Sequence, residues 1–381
     1  MSGRGVADLV CSVCSRTFPA SPDEPWRCSC GGPLELAAND TVPGKPPRNP
    51  DRDAGLWTFS DLVSTPHRTT LGEGWTPLIE APEWDCSFKL EYVFPTGSFK
   101  DRGAATTLSR AAALGVERVV EDSSGNAGAA IATYAARAGI DTAIYVPADV
   151  KESKLTAIER AGARAVRVEG SRADVTEACL EAVEGAEPRS AETRSGRSPR
   201  RESDAWYASH AWNPAFFDGT QTVAFEVCAQ RDWEAPDAFV SPLGHGTLFL
   251  GAYRGFRALF EAGWIDRIPR LLGAQAAGYA PIAETLHGES EGRNEAADGI
   301  QIEAPVRRDQ ILAAIEGTGG DAIALSEEAV RTELDRLHRN GFYTEPTCAV
   351  APAALSLYRE RGVIEPDDDV VVALTGSGLK T

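Results

Sequence analysis

The chain of 381 residues carries 38 lysine and arginine residues against 56 aspartate and glutamate residues, which gives a formal net charge of −18 at pH 7. This acidic balance disfavours nonspecific binding to nucleic acids and to anionic membranes. The length predicts a large core with two or more domains. No apolar run is long enough to span a bilayer and the N-terminus has no apolar signal region, so we expect a cytoplasmic protein.

Lysine is rare in this chain, since only six of the 38 basic residues are lysines. Strong acidity combined with little lysine predicts a protein that stays soluble in high salt, as in a halophilic organism. This prediction concerns the environment of the protein and not its function. A codon bias toward arginine would produce the same composition.

The first forty residues contain two cysteine pairs, Cys11 and Cys14, then Cys28 and Cys30, with the spacing C-x₂-C-x₁₃-C-x-C. Four thiolates on two short turns suit a tetrahedral structural zinc, and disulfides are not expected in a cytosolic chain of this size. Residues 1–40 are therefore predicted to form a zinc-ribbon-like segment. Because this segment is not basic, we expect it to cap the fold or to contact a second copy in a homodimer.

The main body begins near Leu56, after a linker rich in proline and glycine over residues 41–55. Short apolar strands then alternate with helices, a pattern typical of parallel sheets covered by helices on both faces. The sequence therefore predicts an α/β fold over residues 56–381. The predicted strands are FKLEYV (88–93), ERVVED (117–122), TAIYVPA (142–148), ARAVRVEG (163–170), DAFVSP (237–242) and DVVVAL (369–374), and the main predicted helices are 98–115, 127–139, 151–162 and 247–263.

Two polar stretches, 185–205 and 287–299, interrupt this alternation and contain few large apolar residues. Both are predicted to be surface loops, and their residues indicate no particular chemistry.

Glycine-containing turns with hydroxyl or amide side chains follow several predicted strands, namely SSGNAG (123–128), LGHGTL (243–248) and TGSGLK (375–380). Ligands in parallel sheets bind beyond the carboxyl ends of the strands, and a glycine turn that opens a helix suits a phosphate. Phe249 stands where a dinucleotide motif needs its third glycine, and no turn has the Gly-Lys-Ser/Thr of a nucleotide-binding loop. The remaining candidate for the ligand of these turns is a small phosphorylated cofactor.

A similar turn, PTGSFKDRG (95–103), contains Lys100 at the predicted start of a helix. A lysine that opens a helix is usually a solvated surface residue. Pyridoxal 5′-phosphate, however, is a small phosphorylated cofactor that forms a Schiff base with a lysine amine, and burial lowers the pKa of such an amine. The combination of Lys100 with the phosphate turn therefore predicts this cofactor.

The segments LGEGWTPL (71–78), TGSFKDRG (96–103), SSGNAG (123–128) and TGSGLK (375–380) together resemble the threonine synthase family. More broadly they resemble the fold-type II pyridoxal-phosphate enzymes, which share the fold of the tryptophan synthase β-subunit. The resemblance implies two parallel-sheet α/β subdomains with the cofactor between them, the smaller one over roughly 104–205. It also implies the conversion of O-phosphohomoserine and water to threonine and phosphate.

The resemblance also assigns roles to matching positions. Lys100 would be the Schiff base and the general acid/base, Asn126 would bind the 3′-oxygen, and Thr375 would bind the pyridine nitrogen through its hydroxyl. The substrate carboxylate would lie near Ser123, Ser124 and Ala127. The cofactor phosphate would be held by Gly244, His245, Gly246, Thr247 and Leu248.

One segment departs from the family pattern and leaves the substrate open. Threonine synthases usually carry Asn-Ser-x-Asn-Pro-x-Arg for the substrate phosphate, whereas His210, Ala211 and Phe216 stand here at the first, second and last of these positions. Loss of the arginine removes the best bidentate phosphate ligand. A β-replacement synthase, such as a cysteine or cysteate synthase, or a serine/threonine ammonia-lyase remains an alternative. An inactive relative that acts as a zinc-ribbon interaction protein is the non-enzyme alternative.

Overall fold

The computed structural model describes residues 5–37, 44–150, 152–185 and 205–380. Contacts divide the chain into two units. Unit 1 consists of Met1–Ala38, Ser64–Leu71 and Ala104–Phe216, and unit 2 consists of Asn39–Val63, Gly72–Gly103 and Phe217–Thr381. The predicted polar loop 185–205 lies, except for its two end residues, outside the described residues.

The N-terminal part of unit 1 is a small antiparallel sheet of strands β1 (Leu9–Cys11), β2 (Thr17–Phe18) and β3 (Leu34–Leu36), in the order β2-β1-β3. Its core consists of the buried side chains of Leu9, Cys11, Cys28 and Leu34. Two of these four side chains are cysteines, so the segment has too few apolar residues to fold without a further cross-link.

The rest of unit 1 is a parallel sheet of four strands in the order β8-β7-β6-β9. These strands are β6 (Arg118–Glu121), β7 (Asp141–Pro147), β8 (Arg164–Val168) and β9 (Trp206–Tyr207), and the helices between them are α2 (Asn126–Ala138), α3 (Glu152–Arg160) and α4 (Arg172–Glu184). Helices α1 (Lys100–Leu114) and α5 (Pro214–Thr220) contain residues of both units.

Unit 2 contains a sheet of six strands in the order β12-β11-β10-β13-β5-β4, parallel except for the antiparallel edge strand β4. The strands are β4 (Leu78–Ala81), β5 (Cys86–Lys89), β10 (Ala238–Pro242), β11 (Arg270–Ala276), β12 (Asp321–Leu325) and β13 (Val370–Ala373). Its helices are α6 (Thr222–Ala229), α7 (Thr247–Glu261), α8 (Pro281–His287), α9 (Arg308–Thr318), α10 (Glu327–Arg339) and α11 (Pro346–Glu360), with short 3₁₀ helices at Arg52–Phe59, Asp298–Ile300 and Gly378–Lys380.

The strand order reverses once in each parallel sheet. In unit 1 the chain proceeds from β6 outward to β7 and β8, and β9 is then added on the other side of β6. In unit 2 the chain proceeds from β10 to β11 and β12, and β13 is added on the other side of β10. Ligands in open α/β sheets bind beyond the carboxyl ends of the strands at such reversals. The ends of β6, β9, β10 and β13 are therefore where a site is expected.

The α/β fold predicted from the sequence is confirmed, and most predicted elements agree with the structure within two residues at either end. The predicted strand 88–93 is an exception, because β5 ends at Lys89 and Glu91 turns inward to a buried arginine. The polar stretch 287–299 is largely exposed, but Asn294 is fully buried and donates through its side-chain amide to the Leu325 carbonyl oxygen at 3.1 Å. This stretch is thus tied to strand β12.

Candidate active site

The turn that contains Lys100 pairs with the turn after strand β13, within unit 2. Ser98 and Gly376 form an antiparallel bridge, and the Phe99 N–H donates to the Thr375 carbonyl oxygen at 3.1 Å. Lys100 Nζ lies 4.6 Å from the centroid of the Phe99 ring. Two motifs that begin 279 positions apart, TGSFKDRG at Thr96 and TGSGLK at Thr375, are therefore brought together next to the lysine.

Asp101, which follows Lys100, holds the conformation of this turn. Its carboxylate is fully buried and accepts hydrogen bonds from the Thr96 N–H at 2.9 Å and from the Thr96 hydroxyl. Burial raises the pKa of Asp101 to about 6, against the opposing effect of the Thr96 bonds and of the Lys380 charge. Lys380 is itself mostly buried, and burial lowers its pKa.

Arg102 ties the start of helix α1 to the interior of unit 2. Its guanidinium donates to both carboxylate oxygens of Glu91 at 2.7 Å and to Glu226 Oε2 at 2.8 Å. Lys89 Nζ donates to the same Glu226 oxygen at 2.7 Å, and all four side chains are fully buried. Two cations balance two carboxylates, which is the condition under which buried charges are tolerated. Arg102 and Lys89 lower the pKa of Glu226 to about 2 although burial opposes them.

The loop after strand β10 has the geometry of an anion cradle. Gly246 has φ +80°, a conformation that side chains disfavour, and helix α7 begins directly after it at Thr247 with no described side chain capping it. A Cβ at Gly246 would lie 2.6 Å from Ile311 Cδ1, and one at Gly244 would lie 3.1 Å from Ile300 Cγ2. Glycine is therefore strongly favoured at Gly246, a side chain at Gly244 would be tightly packed, and the first amides of a fifteen-residue helix open at this loop. The loop also contains the half-buried His245 and the buried Leu248.

In unit 1 the loop after strand β6 leads into helix α2, which begins at Asn126. A Cβ at Gly128 would lie 1.8 Å from the Ser123 carbonyl oxygen, so only glycine allows the helix to approach the loop this closely. The Gly125 N–H donates to Ser123 Oγ at 3.4 Å, while Ala127 is buried. The predicted substrate residues Ser123 and Ser124 therefore share one loop with Asn126.

The end of β6 and the segment after β9 hold a carboxylate–imidazole pair. His210 Nδ1 and Glu121 Oε1 are 2.7 Å apart, and both side chains are buried. The Phe216 ring packs edge-on against the His210 ring with a centroid distance of 6.1 Å. Because β6 and β9 flank the reversal of strand order, this pair lies at the edge of the sheet where the Ser123–Asn126 loop also begins.

Asn213, which matches the family segment, has a structural role here. Its Oδ1 accepts from the Ala215 N–H at 3.0 Å and its Nδ2 donates to the Tyr207 carbonyl oxygen, so it initiates helix α5 with Pro214 in the first turn. The ring of Trp212, the residue before Asn213, contacts Trp26 of the N-terminal segment edge-on at a centroid distance of 4.9 Å.

The four N-terminal cysteines form one cluster. The sulfur atoms of Cys11, Cys14, Cys28 and Cys30 all lie within 4.8 Å of one another. Cys14 N–H and Val13 N–H point to Cys11 Sγ at 3.5 and 3.4 Å. A hydrogen bond from the Cys30 backbone N–H lowers the pKa of Cys28 to about 6, whereas contacts with Cys11 and Cys28 contribute to raising the pKa of Cys30 to about 12 against its own bond from Gly32. Four sulfurs at this spacing, with amide donors to them, fit a tetrahedral metal.

The structure thus brings together Lys100, Thr375 and the turn around each in unit 2, and Ser123, Ser124 and Asn126 in unit 1. Sequence reasoning did not identify the roles of Asp101 or Glu121. The sequence does contain a signal for each. Asp101 follows the proposed lysine and Glu121 ends a short strand, and a carboxylate that is buried at such a place has to be paired or neutralised.

Known proteins resemble this chain over most of its length. A family model described as pyridoxal-phosphate dependent enzyme matches residues 69–376. Threonine synthase of Methanocaldococcus jannaschii is 29% identical, with 97% of this chain and 92% of that protein covered. Threonine synthase of Mycobacterium tuberculosis is 32% identical, with 82% of this chain and 83% of that protein covered. The solved structure of maize serine racemase aligns with a TM-score of 0.66 at 20% identity, covering 80% of this chain and 88% of that chain, and at this identity it supports the fold alone.

Proposed function

The chain belongs to the family of pyridoxal-phosphate-dependent enzymes, and on this basis we propose that it is a threonine-synthase-like lyase. The proposed reaction converts O-phosphohomoserine and water to threonine and phosphate. The observation that carries the proposal is the pairing of residues 98–99 with residues 375–376, which joins Phe99, the residue before Lys100, to Thr375. The relatives named threonine synthase support the substrate class, because they match this chain over most of its length.

The residues present fit the cofactor. The buried Ser98 Oγ has no hydrogen-bond partner among the described residues, so an oxygen of a bound ligand can accept its proton. The uncapped start of helix α7 after Gly246 suits the phosphate. When bound, pyridoxal phosphate supplies a Schiff base with a lysine and an electron sink for carbanions. The residues that would hold it are Lys100, Asn126, Gly244, His245, Gly246, Thr247, Leu248 and Thr375.

The chain's own groups then divide the work. Lys100 Nζ takes a proton from the substrate and returns it at another carbon, acting as general base and general acid. The Thr375 hydroxyl, unlike a carboxylate, would leave the pyridine nitrogen of the bound cofactor neutral, which would favour elimination and replacement over transamination. Ser123 and Ser124 bind the substrate carboxylate with Ala127 beside them, and Asp101 holds the turn so that the lysine stays in place.

A second candidate reaction is favoured by the Glu121–His210 pair. A phosphate dianion needs cationic ligands, but the position of the family arginine is occupied by the fully buried Phe216. The neighbouring His210 is held by a carboxylate, so the pair together is at most neutral. This arrangement suits a substrate whose leaving group is a hydroxyl, as in a serine/threonine ammonia-lyase, or a β-replacement substrate.

The cysteine cluster is proposed to hold one structural zinc through Cys11, Cys14, Cys28 and Cys30. We further propose a cytoplasmic enzyme that acts on a small amino acid, without nucleic acid or membrane partners, as a homodimer. Within the described residues no helix has the length and apolarity that crossing a bilayer requires.

A substrate panel with purified protein tests the proposal. Phosphate release from O-phosphohomoserine supports the threonine synthase reaction, 2-oxobutyrate from threonine supports the lyase, and a sulfide- or sulfite-dependent product supports β-replacement. Lys100→Ala should abolish both turnover and the visible absorbance of the bound cofactor, whereas the exposed Lys45→Ala should change neither. A wild-type protein that stays colourless after incubation with the cofactor would contradict the proposal and favour the inactive relative.

A further inference from the structure

The N-terminal cysteine segment contacts residues that are linked to the Ser123–Asn126 loop. Trp26 lies two positions before Cys28, and its ring packs edge-on against Tyr207 at a centroid distance of 5.6 Å. The second edge-on contact of Trp26 is with Trp212 at 4.9 Å, two positions after His210. Edge-to-face aromatic pairs have a preferred geometry, so the position of one ring restricts the position of the other. Trp26 therefore contacts both the end of strand β9 and the segment that contains His210.

Tyr207 continues this connection to the loop. Its hydroxyl donates to Asp122 Oδ1 at 2.9 Å, and the Thr176 hydroxyl donates to Asp122 Oδ2 at 2.6 Å. Asp122 directly precedes Ser123, so these two bonds fix the first residue of the loop. A continuous series of contacts thus runs from Trp26 through Tyr207 and Asp122 to Ser123, all within unit 1.

A buried ion pair holds the cysteine segment in register with this series. Arg110 donates through Nε and Nη2 to the two carboxylate oxygens of Glu24 at 2.8 and 2.5 Å, and through Nη1 to the Ala7 carbonyl oxygen at 2.9 Å. The Arg110 side chain is fully buried and that of Glu24 is 3% exposed. A bidentate pair of this kind is directional. Because Glu24 and Trp26 lie four and two positions before Cys28, metal binding at the cluster would restrict the residues that make both contacts.

We propose that Trp26 is a positioning residue through which the metal-bound cysteine segment sets the conformation of the Ser123–Ser124 loop, and thereby the affinity for the amino-acid substrate. This inference rests on the proposed function, since it takes the loop as the substrate-carboxylate site. Of the proposed cofactor ligands, Asn126 belongs to unit 1, whereas the lysine, the phosphate loop and Thr375 belong to unit 2. Perturbing Trp26 should therefore weaken substrate binding more than cofactor binding.

The first test compares Trp26→Ala with Trp26→Phe and with Arg27→Ala. Arg27 is the matched control, because its guanidinium lies 4.3 Å from the same Trp26 ring and its ion pair with Glu184 is exposed. We expect Trp26→Ala to raise KM by about tenfold with kcat changed by less than about threefold, a size typical of coupled residues. Trp26→Phe should restore most of the affinity and Arg27→Ala should retain all of it, with the visible cofactor absorbance intact throughout.

A cap that is merely structural would give a different result. Trp26→Ala would then lower thermal stability but leave KM unchanged in the folded fraction, and this outcome overturns the inference. If the wild type binds no cofactor or turns over no substrate, the proposed function fails instead, so the two failures are distinguishable.

The second test removes the metal and does not depend on turnover alone. After treatment with a zinc chelator, amide hydrogen exchange over residues 121–126 should accelerate, and Tyr207→Phe should accelerate exchange in the same residues. Chelation of Trp26→Ala should add little to its KM, since both changes break the same series of contacts. Additive effects on KM, or exchange over residues 121–126 that chelation leaves unchanged, would overturn the role assigned to the metal.

Discussion

Arg102 and Glu226 form a buried two-point ion pair although 124 positions separate them in the sequence, with NH2 2.8 Å from Oε2. Arg102 is two residues beyond Lys100, in the first turn of helix α1. Glu226 also forms an ion pair with Lys89, and Arg102 also forms one with Glu91. Two cations and two carboxylates are therefore buried together. The position of the proposed catalytic lysine therefore depends on a charge network in the core of unit 2.

Replacing Arg102 should be costly because the network would lose its balance. Arg102→Met leaves two buried carboxylates with Lys89 alone, and we expect a loss of about 3–5 kcal/mol in the free energy of unfolding. Arg257→Met is the control, because its ion pair with Glu261 is exposed and should contribute less than about 1 kcal/mol. Urea unfolding measures both variants. Equal losses in the two variants would contradict the role of the buried network.

The titration of Asp101 predicts that stability depends on pH between about pH 4 and pH 6. Its pKa is raised from 3.8 to about 6, chiefly by burial. A raised pKa in the folded state means that its contribution to stability is present below about pH 4 and is lost as the pH rises through about 6. Relative to Asp101→Asn, the wild type should therefore be more stable at pH 5 than at pH 7.5. For the exposed control Asp335→Asn, the free energy of unfolding should depend on pH as it does in the wild type. The same pH dependence in Asp101→Asn and the wild type would contradict a raised pKa of Asp101.

The fold and the principal motifs were predictable because they depend on local signals. Uninterrupted apolar runs such as VVVAL (370–374) predict the parallel strands, and each glycine turn that follows a strand marks a place where the backbone can approach a ligand. The Arg102–Glu226 and His210–Glu121 pairs were not predictable, because they join residues 124 and 89 positions apart and have no local pattern. For the same reason the predicted strand FKLEYV is too long. The strand ends at Lys89, and Glu91 pairs with Arg102, which only the folded chain brings near.

The phosphate loop can be tested with two glycines at opposite ends of helix α7. Both Gly246 and Gly263 have positive φ, +80° and +69°, so alanine strains the backbone at each. A Cβ at Gly246 would also lie 2.6 Å from Ile311 Cδ1, whereas nothing lies within 4 Å of one at Gly263. We expect Gly246→Ala to weaken cofactor binding by at least about tenfold, or ~1.4 kcal/mol, and Gly263→Ala to leave it unchanged. Titration of each variant with the cofactor, followed by visible absorbance, measures the two affinities. Similar cofactor affinities in Gly246→Ala and Gly263→Ala would argue against a phosphate at this loop.

The Glu121–His210 pair gives a test of whether the leaving group is anionic. If the Glu121–His210 pair lies beside a bound phosphate, Glu121→Gln should strengthen inhibition by inorganic phosphate several-fold, because it removes a buried negative charge that repels the anion. His210→Gln should weaken the same inhibition, and the exposed Glu117→Gln, four residues earlier, should leave it unchanged. Steady-state inhibition against the amino-acid substrate measures all three variants. If neither replacement changes phosphate inhibition while His210→Gln lowers 2-oxobutyrate formation from threonine, the pair serves a hydroxyl leaving group and the ammonia-lyase reaction replaces the threonine synthase reaction as the better proposal.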